Sequence, residues 1–118
     1  MLSIRQIVGQ KAEQNARHFL ENQGLIHLKS NFKVRGGEID LIMQDGKELV
    51  FVEVRFRQQN QFGGAIASVD FKKQKRLILA AQHYLARLKV EPLCRFDCVF
   101  FQGDQNHPMW IKNAFLAE

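Results

Sequence analysis

Two neighbouring stretches, Glu38-Ile39-Asp40 and Phe51-Val52-Glu53-Val54-Arg55, hold the residues best suited to chemistry. Both read as strands, and strand side chains alternate between faces. Glu38 and Asp40 therefore fall on one face of their strand. Glu53 and Arg55 fall on one face of the next, beside Leu49 and Phe51, while Val50, Val52, Val54 and Phe56 supply apolar packing behind them. Between the strands, Asp45-Gly46-Lys47 is a strong hairpin signal. A two-residue loop at Asp45-Gly46 sets Glu38 opposite Glu53, with Asp40 on the diagonal. A four-residue loop sets Asp40 opposite Glu53 and Glu38 opposite Arg55. A three-residue loop without a bulge would separate the carboxylates. In either even register Asp40 and Glu53 are neighbours, and like charges so close are destabilising unless cations, protonation or a metal offset them. Paired carboxylates completed by a substrate phosphate are the usual protein site for Mg²⁺. Asp40 and Glu53 are thus candidate ligands of Mg²⁺ or Mn²⁺.

The elements that must position these groups follow from pattern and punctuation. Apolar residues at Ile4, Ile7, Val8, Ala12, Ala16, Phe19 and Leu20 predict a helix from Ile4 to Gln23, ended by Gly24. A first strand runs over Leu25–Val34, with a turn at Arg35-Gly36-Gly37. The acidic strands cover Glu38–Gln44 and Glu48–Arg57, and Gln58–Ala67 reads as a loop. Ser68 is a plausible N-cap for a second helix reaching about Lys89. Its apolar stripe is Phe71, Leu77, Ile78, Ala81, Tyr84, Leu85 and Leu88. Glu91-Pro92 ends it. Strands over Arg95–Gln102 and Met109–Phe115, separated by a turn at Gly103–Pro108, complete the chain. The order is α-β-β-β-α-β-β: an α/β fold, with one mixed sheet flanked by helices, forming a single domain over residues 1–118.

Composition sets the class. The 118 residues are 46% hydrophobic with ten Phe, enough for one core, and 25% charged. Met1–Gln10 has no apolar run of signal-peptide length and no later segment could span a membrane, so a cytoplasmic protein is expected. Cys94 and Cys98, on one strand, would have α-carbons about 13 Å apart, too far to bridge. With no further cysteine for a zinc site, they read as buried or half-buried thiols. His18, His27, His83 and His107 show no ligand spacing. Trp110 and the Phe residues belong to core-like segments. A net charge of +5 favours an acidic partner, nucleic acid being the commonest. Lys72, Lys73, Lys75 and Arg76 open the second helix, while Lys29, Lys33, Arg35 and Arg57 flank the acidic strands. Such runs are ordinarily solvated faces; placed around the carboxylates, they suit phosphates.

The run Gly9-Gln10-Lys11-Ala12-Glu13, then Asn31, then Gly37-Glu38-Ile39-Asp40-Leu41-Ile42 and Val50-Phe51-Val52-Glu53-Val54-Arg55, with Arg95-Phe96-Asp97, resembles the YraN family of bacterial proteins over nearly the whole chain. That resemblance implies a restriction-endonuclease-like fold similar to Holliday-junction resolvases, with metal ligands at Asp40 and Glu53. It also matches Glu13 to an acidic residue of the first helix. By periodicity alone Glu13 is a solvated helix-edge charge, although Gly9, one turn earlier, would admit a backbone or substrate. Gln74 corresponds to a polar helix residue that positions substrate or water in such nucleases, or is an ordinary helix-boundary Gln. Arg55 departs from the lysine of the nuclease pattern. Arginine is a poor proton acceptor but grips phosphate bidentately.

Three functions follow as expectations. The first is a metal-dependent nuclease acting on DNA phosphodiesters, branched or damaged DNA among them, through Asp40, Glu53, Arg55, Glu13 and Gln74. The second is an inactive DNA-binding module, for which Arg55 is the motive. The third is a protein-interaction domain using a sheet edge. Dimeric resolvase-like relatives allow a homodimer by analogy.

Overall fold

A computed structural model describes residues 1–57, 69–103 and 106–117. The expected order of elements is the observed one: α1 (Ile4–Asn22), β1 (Ile26–Val34), β2 (Gly37–Asp45), β3 (Glu48–Arg57), α2 (Phe71–Leu85), β4 (Cys94–Gln102) and β5 (Met109–Phe115). The strands form one sheet in the order β1-β2-β3-β4-β5. Only β3 and β4 pair in parallel, because α2 lies between them in the chain and carries it back to the starting edge.

Each face of the sheet is covered by one helix. Ala12, Ala16 and Leu20 of α1 pack with Leu41, Met43, Val50, Val52, Val99 and Phe101. Leu77, Ala80 and Ala81 of α2 pack with Ile42, Leu49, Phe51, Phe96 and Cys98 on the other face. Small residues on both helices let their backbones approach the sheet closely. Gly37 marks the limit: a Cβ there would collide with the Arg76 carbonyl and come within 3.2 Å of the Ala80 nitrogen. Gly9 has no such role, since a Cβ would meet nothing within 4 Å.

Several boundaries differ from expectation for local reasons. Helix α1 starts from a capping box, in which Ser3 Oγ accepts from Gln6 N–H and Gln6 Oε1 accepts from Ser3 N–H. Helix α2 is capped by Asp70, whose Oδ1 accepts from Lys73 N–H at 2.8 Å. Ser68, the expected cap, lies outside the described residues, as do Gln58–Ala67 and part of the Gly103–Pro108 turn. Helix α2 ends at Leu85, short of Lys89, and Phe71 at its start is 70% exposed rather than part of the inward stripe. Leu88, 39% exposed, lies beyond the helix. Cys94 is exposed, not buried, because it opens β4, whereas Cys98 is buried; both are free. No helix among the described residues is long and apolar enough to cross a membrane.

Buried polar groups fix the far end of the sheet. Arg95, 7% exposed, donates to Asp97, to Glu48 Oε1 at 2.8 Å and to Asp45 Oδ2 at 2.9 Å. Asp97 also accepts from Trp110 Nε1 at 2.9 Å and from Asn113 N–H at 3.1 Å. The network ties the β2–β3 hairpin to β4 and β5, with every charge paired.

Candidate metal centre

The hairpin turn decides the site. Asp45 pairs with Glu48 across Gly46-Lys47, one residue beyond the Asp45-Gly46 loop anticipated. Gly46 takes φ +61° while Lys47 needs no positive φ, as a type II′ turn requires. The register then runs through Met43–Val50 and Leu41–Val52. Extended by one pair, it sets Asp40 directly opposite Glu53, the arrangement expected from the longer loop.

Regular pairing stops at Leu41–Val52, and the strands fork beyond it. At the fork Asp40 Oδ2 accepts the Val54 backbone N–H at 2.8 Å. The pleat of β2 also changes phase here. Ile39 is buried under α2, and Leu41, two residues on, is buried under α1. On β1 the facing Asn31 takes φ +54°, a left-handed conformation that Asn tolerates. The simple alternation that would put Glu38 and Asp40 on a common face therefore does not run through Asp40.

Glu53 is 1% exposed, and neither carboxylate oxygen receives a hydrogen bond. Two cations approach Oε2 as ion pairs: Lys73 Nζ at 3.3 Å and Arg55 Nη1 at 3.7 Å. Burial, then the nearby charge of Asp40, push the Glu53 carboxyl up to about 9, against the pull of Lys73 and Arg55. The two carboxylates thus oppose each other's ionisation, and Glu53 takes up a proton more readily than an exposed carboxyl does. Cys98, the parallel neighbour of Glu53, is pushed up to about 12 by burial and then by Glu53 itself, so it sits there as a neutral thiol.

The remaining predicted residues fall into distinct places. Glu13 lines a polar pocket of about 240 Å³ between α1 and β1, with Gln10, Gln14, Ser30 and Asn31. Burial, then Asp40, raise its carboxyl to about 7, over the opposing hydrogen bond from Asn31. Among the described residues no group of three His, Cys, Asp or Glu side chains is placed to hold an ion, so Glu13 does not complete a three-carboxylate cage. Gln74 Nε2 donates to the Val69 carbonyl at 3.1 Å, a helix-boundary contact. Arg55, Lys72, Lys73 and Arg76 line a second pocket of about 180 Å³ with Asp70. Lys75 instead stands over the Phe71 ring at 4.6 Å. Arg57 Nη1 donates to the Phe56 carbonyl, and Arg35 is exposed in the β1–β2 turn. Sequence reasoning placed Lys73 on a phosphate-binding surface and missed its contact with Glu53; the signal available was only its position three residues after the capping Asp70.

Comparison with known proteins bears on this pattern directly, since the fork and its ion pairs lie within the matched span. The model of the uncharacterised protein family UPF0102 matches residues 12–101. The chain belongs to this family. A UPF0102 protein of Janthinobacterium sp. (strain Marseille) is 54% identical over 98% of this chain and 92% of its own length. UPF0102 proteins of Herminiimonas arsenicoxydans and Dechloromonas aromatica are also each 54% identical, over 95% and 93% of this chain and 89% of their own lengths. The family thus includes relatives that match both acidic strands, both helices and β4, the elements that build the centre.

Proposed function

We propose that this UPF0102 member is a Mg²⁺- or Mn²⁺-dependent nuclease acting on DNA phosphodiesters, branched DNA among them. The observation that carries the reading is Glu53: a carboxylate buried to 1% exposure, with both oxygens lacking hydrogen bonds, opposite a second carboxylate. Burying a carboxylate is costly even with ion pairs at 3.3 and 3.7 Å on one of its oxygens, and a divalent cation would offset that cost. Two carboxylates suffice for Mg²⁺, which completes its shell with water and substrate phosphate; Asp40 and Glu53 fit that demand, and Glu13 is near enough to Asp40 to be raised by its charge. When bound, the ion would lower the pKa of a water and neutralise charge on the phosphate.

The chain's own residues supply the rest. Asp40 is held by Val54 N–H, so its carboxylate is positioned before any ligand arrives. The cationic pocket of Arg55, Lys72, Lys73 and Arg76 adjoins Glu53 and suits a phosphodiester, with Arg55 able to grip two phosphate oxygens. Water adds to phosphorus as the P–O ester bond breaks; the departing oxygen takes the electron pair and a proton from solvent, and the attacking water returns a proton to solvent.

The test is incubation of the protein with branched and linear DNA in Mg²⁺ or Mn²⁺, beside Asp40→Asn, which removes the charge but keeps an oxygen for Val54. Cleavage by the wild type alone supports the reading. Equal or absent cleavage by both rejects catalysis, and retained DNA binding would then favour the inactive module.

A further inference from the structure

Two cations from different elements converge on one oxygen. Lys73 Nζ of α2 lies 3.3 Å from Glu53 Oε2, closer than Arg55 Nη1 of β3 at 3.7 Å, and it also reaches Glu38 Oε1 at 3.8 Å. The backbone N–H of Lys73 is tied to Asp70, which fixes where the side chain begins. The side chain retains 21% exposure, and Lys73 lines the cationic pocket as well. It therefore stands between Glu53 and the cationic pocket.

Resting on the nuclease reading above, we infer that Lys73 supplies from α2 the ammonium group that orients the attacking water and holds the anionic phosphate, a role that Arg55 on β3 cannot fill. An ammonium has three donors on a flexible stem, so it can keep Glu53 while donating to the water oxygen and to a non-bridging phosphate oxygen. The planar fork of Arg55 suits two oxygens of a single group. The division of labour is then Arg55 on the phosphate and Lys73 between phosphate and water. The bond changes are those of hydrolysis: a new P–O bond from water, loss of the ester P–O bond, and both protons exchanged with solvent.

The test compares full-length wild type, Lys73→Ala, Arg55→Lys and the Lys73→Ala/Arg55→Lys double variant. Each is titrated with Mn²⁺ by calorimetry and assayed in single turnover at saturating Mn²⁺ on the DNA that the wild type cleaves best. Loss of a competing positive charge beside Glu53 should make Lys73→Ala bind Mn²⁺ about threefold tighter, while its rate constant falls about hundredfold. The double variant should recover about tenfold, because a lysine on β3 reaches the same Oε2. A merely structural role predicts weaker Mn²⁺ binding and no recovery, and either result overturns the inference. So does an unchanged rate constant in Lys73→Ala. If the wild type binds Mn²⁺ but cleaves no DNA, the nuclease reading itself fails and this inference falls with it, an outcome seen without any variant.

Discussion

Asp40 takes over a place in the sheet that belongs to a backbone carbonyl. Residues flanking a two-residue turn form a hydrogen-bonded pair, so Asp45–Glu48, Met43–Val50 and Leu41–Val52 exchange backbone bonds. The next such pair would be Ile39–Val54. The strands part before it, and Val54 N–H donates to Asp40 Oδ2 at 2.8 Å instead. Opening the sheet beside Glu53 therefore leaves the Val54 backbone donor paired.

That bond separates structure from charge. Asp40→Ala strands the Val54 N–H and should cost about 1–2 kcal/mol in urea unfolding. Asp40→Asn keeps an acceptor and should cost less than half as much. The wild type should gain about 2.7 kcal/mol from Mn²⁺ at a hundredfold excess over Kd, and both variants should lose that gain. Mn²⁺ stabilisation that survives in Asp40→Asn would remove Asp40 from the ligand set.

The raised Glu53 carboxyl makes metal-free stability depend on pH. Its ordinary value is 4.5 and its folded value about 9, so between them the native state binds more protons than the unfolded chain. Stability is then fully present below about 4.5 and falls as pH rises towards 9. Glu13, raised to about 7, adds a weaker loss of the same sign below neutrality, discounted for its partial exposure. Glu53→Gln should flatten the profile, and wild type with Mn²⁺ should show a smaller fall than without it. Chemical denaturation at several pH values measures both.

Proton release gives a second reading of the same group. With the Glu53 carboxyl raised to about 9, a metal entering there competes with a proton, so Mn²⁺ binding at neutral pH should liberate about one proton. Calorimetry in two buffers of different ionisation enthalpy counts it. Binding without release would mean that the ion sits elsewhere.

The strands, their order and the facing of β3 were legible because they depend on period-two alternation and on turn residues. Val50, Val52, Val54 and Phe56 do pack under α1, while Leu49 and Phe51 pack under α2. The register was narrowed to two even alternatives, a two-residue loop at Asp45-Gly46 or a four-residue loop. The observed register is that of the longer loop, reached by a two-residue turn at Gly46-Lys47 in which Gly46 takes positive φ. The change of pleat at Asp40 was not legible, because it needs Asn31 at positive φ on a partner strand. Nor was the contact of Lys73 with Glu53, since helix periodicity gives a face but not its rotation over a neighbouring strand. Phe71 misled for a related reason: at the first helical position its ring is 70% exposed and lies under the Lys75 ammonium instead of in the core.

Helix α2 should prove intolerant of displacement. Gly37→Ala would drive a Cβ into the Arg76 carbonyl, so α2 must shift, at a cost of about 1–3 kcal/mol. The shift carries Lys73 and Arg76 with it, and Mn²⁺ and DNA binding should change as well. Gly9→Ala, in open space within α1, should instead stabilise by about 0.5–1 kcal/mol. Thermal unfolding of the two variants checks the contrast, and a neutral Gly37→Ala would mean that α2 does not rest on β2 as described.

The basic residues of α2 are separable by salt dependence. If phosphates enter the pocket, the affinity for DNA must fall linearly with the logarithm of salt concentration. Lys72 and Arg76 line that pocket, so Lys72→Ala and Arg76→Ala should each reduce the slope by about one. Lys75 points its ammonium over Phe71 and lies outside the pocket lining, so Lys75→Ala should leave the slope nearly unchanged. Titration of a fluorescent DNA at four salt concentrations resolves these slopes. Equal effects at all three positions would describe a diffuse basic face, in which case the carboxylates and the phosphate-binding surface act independently.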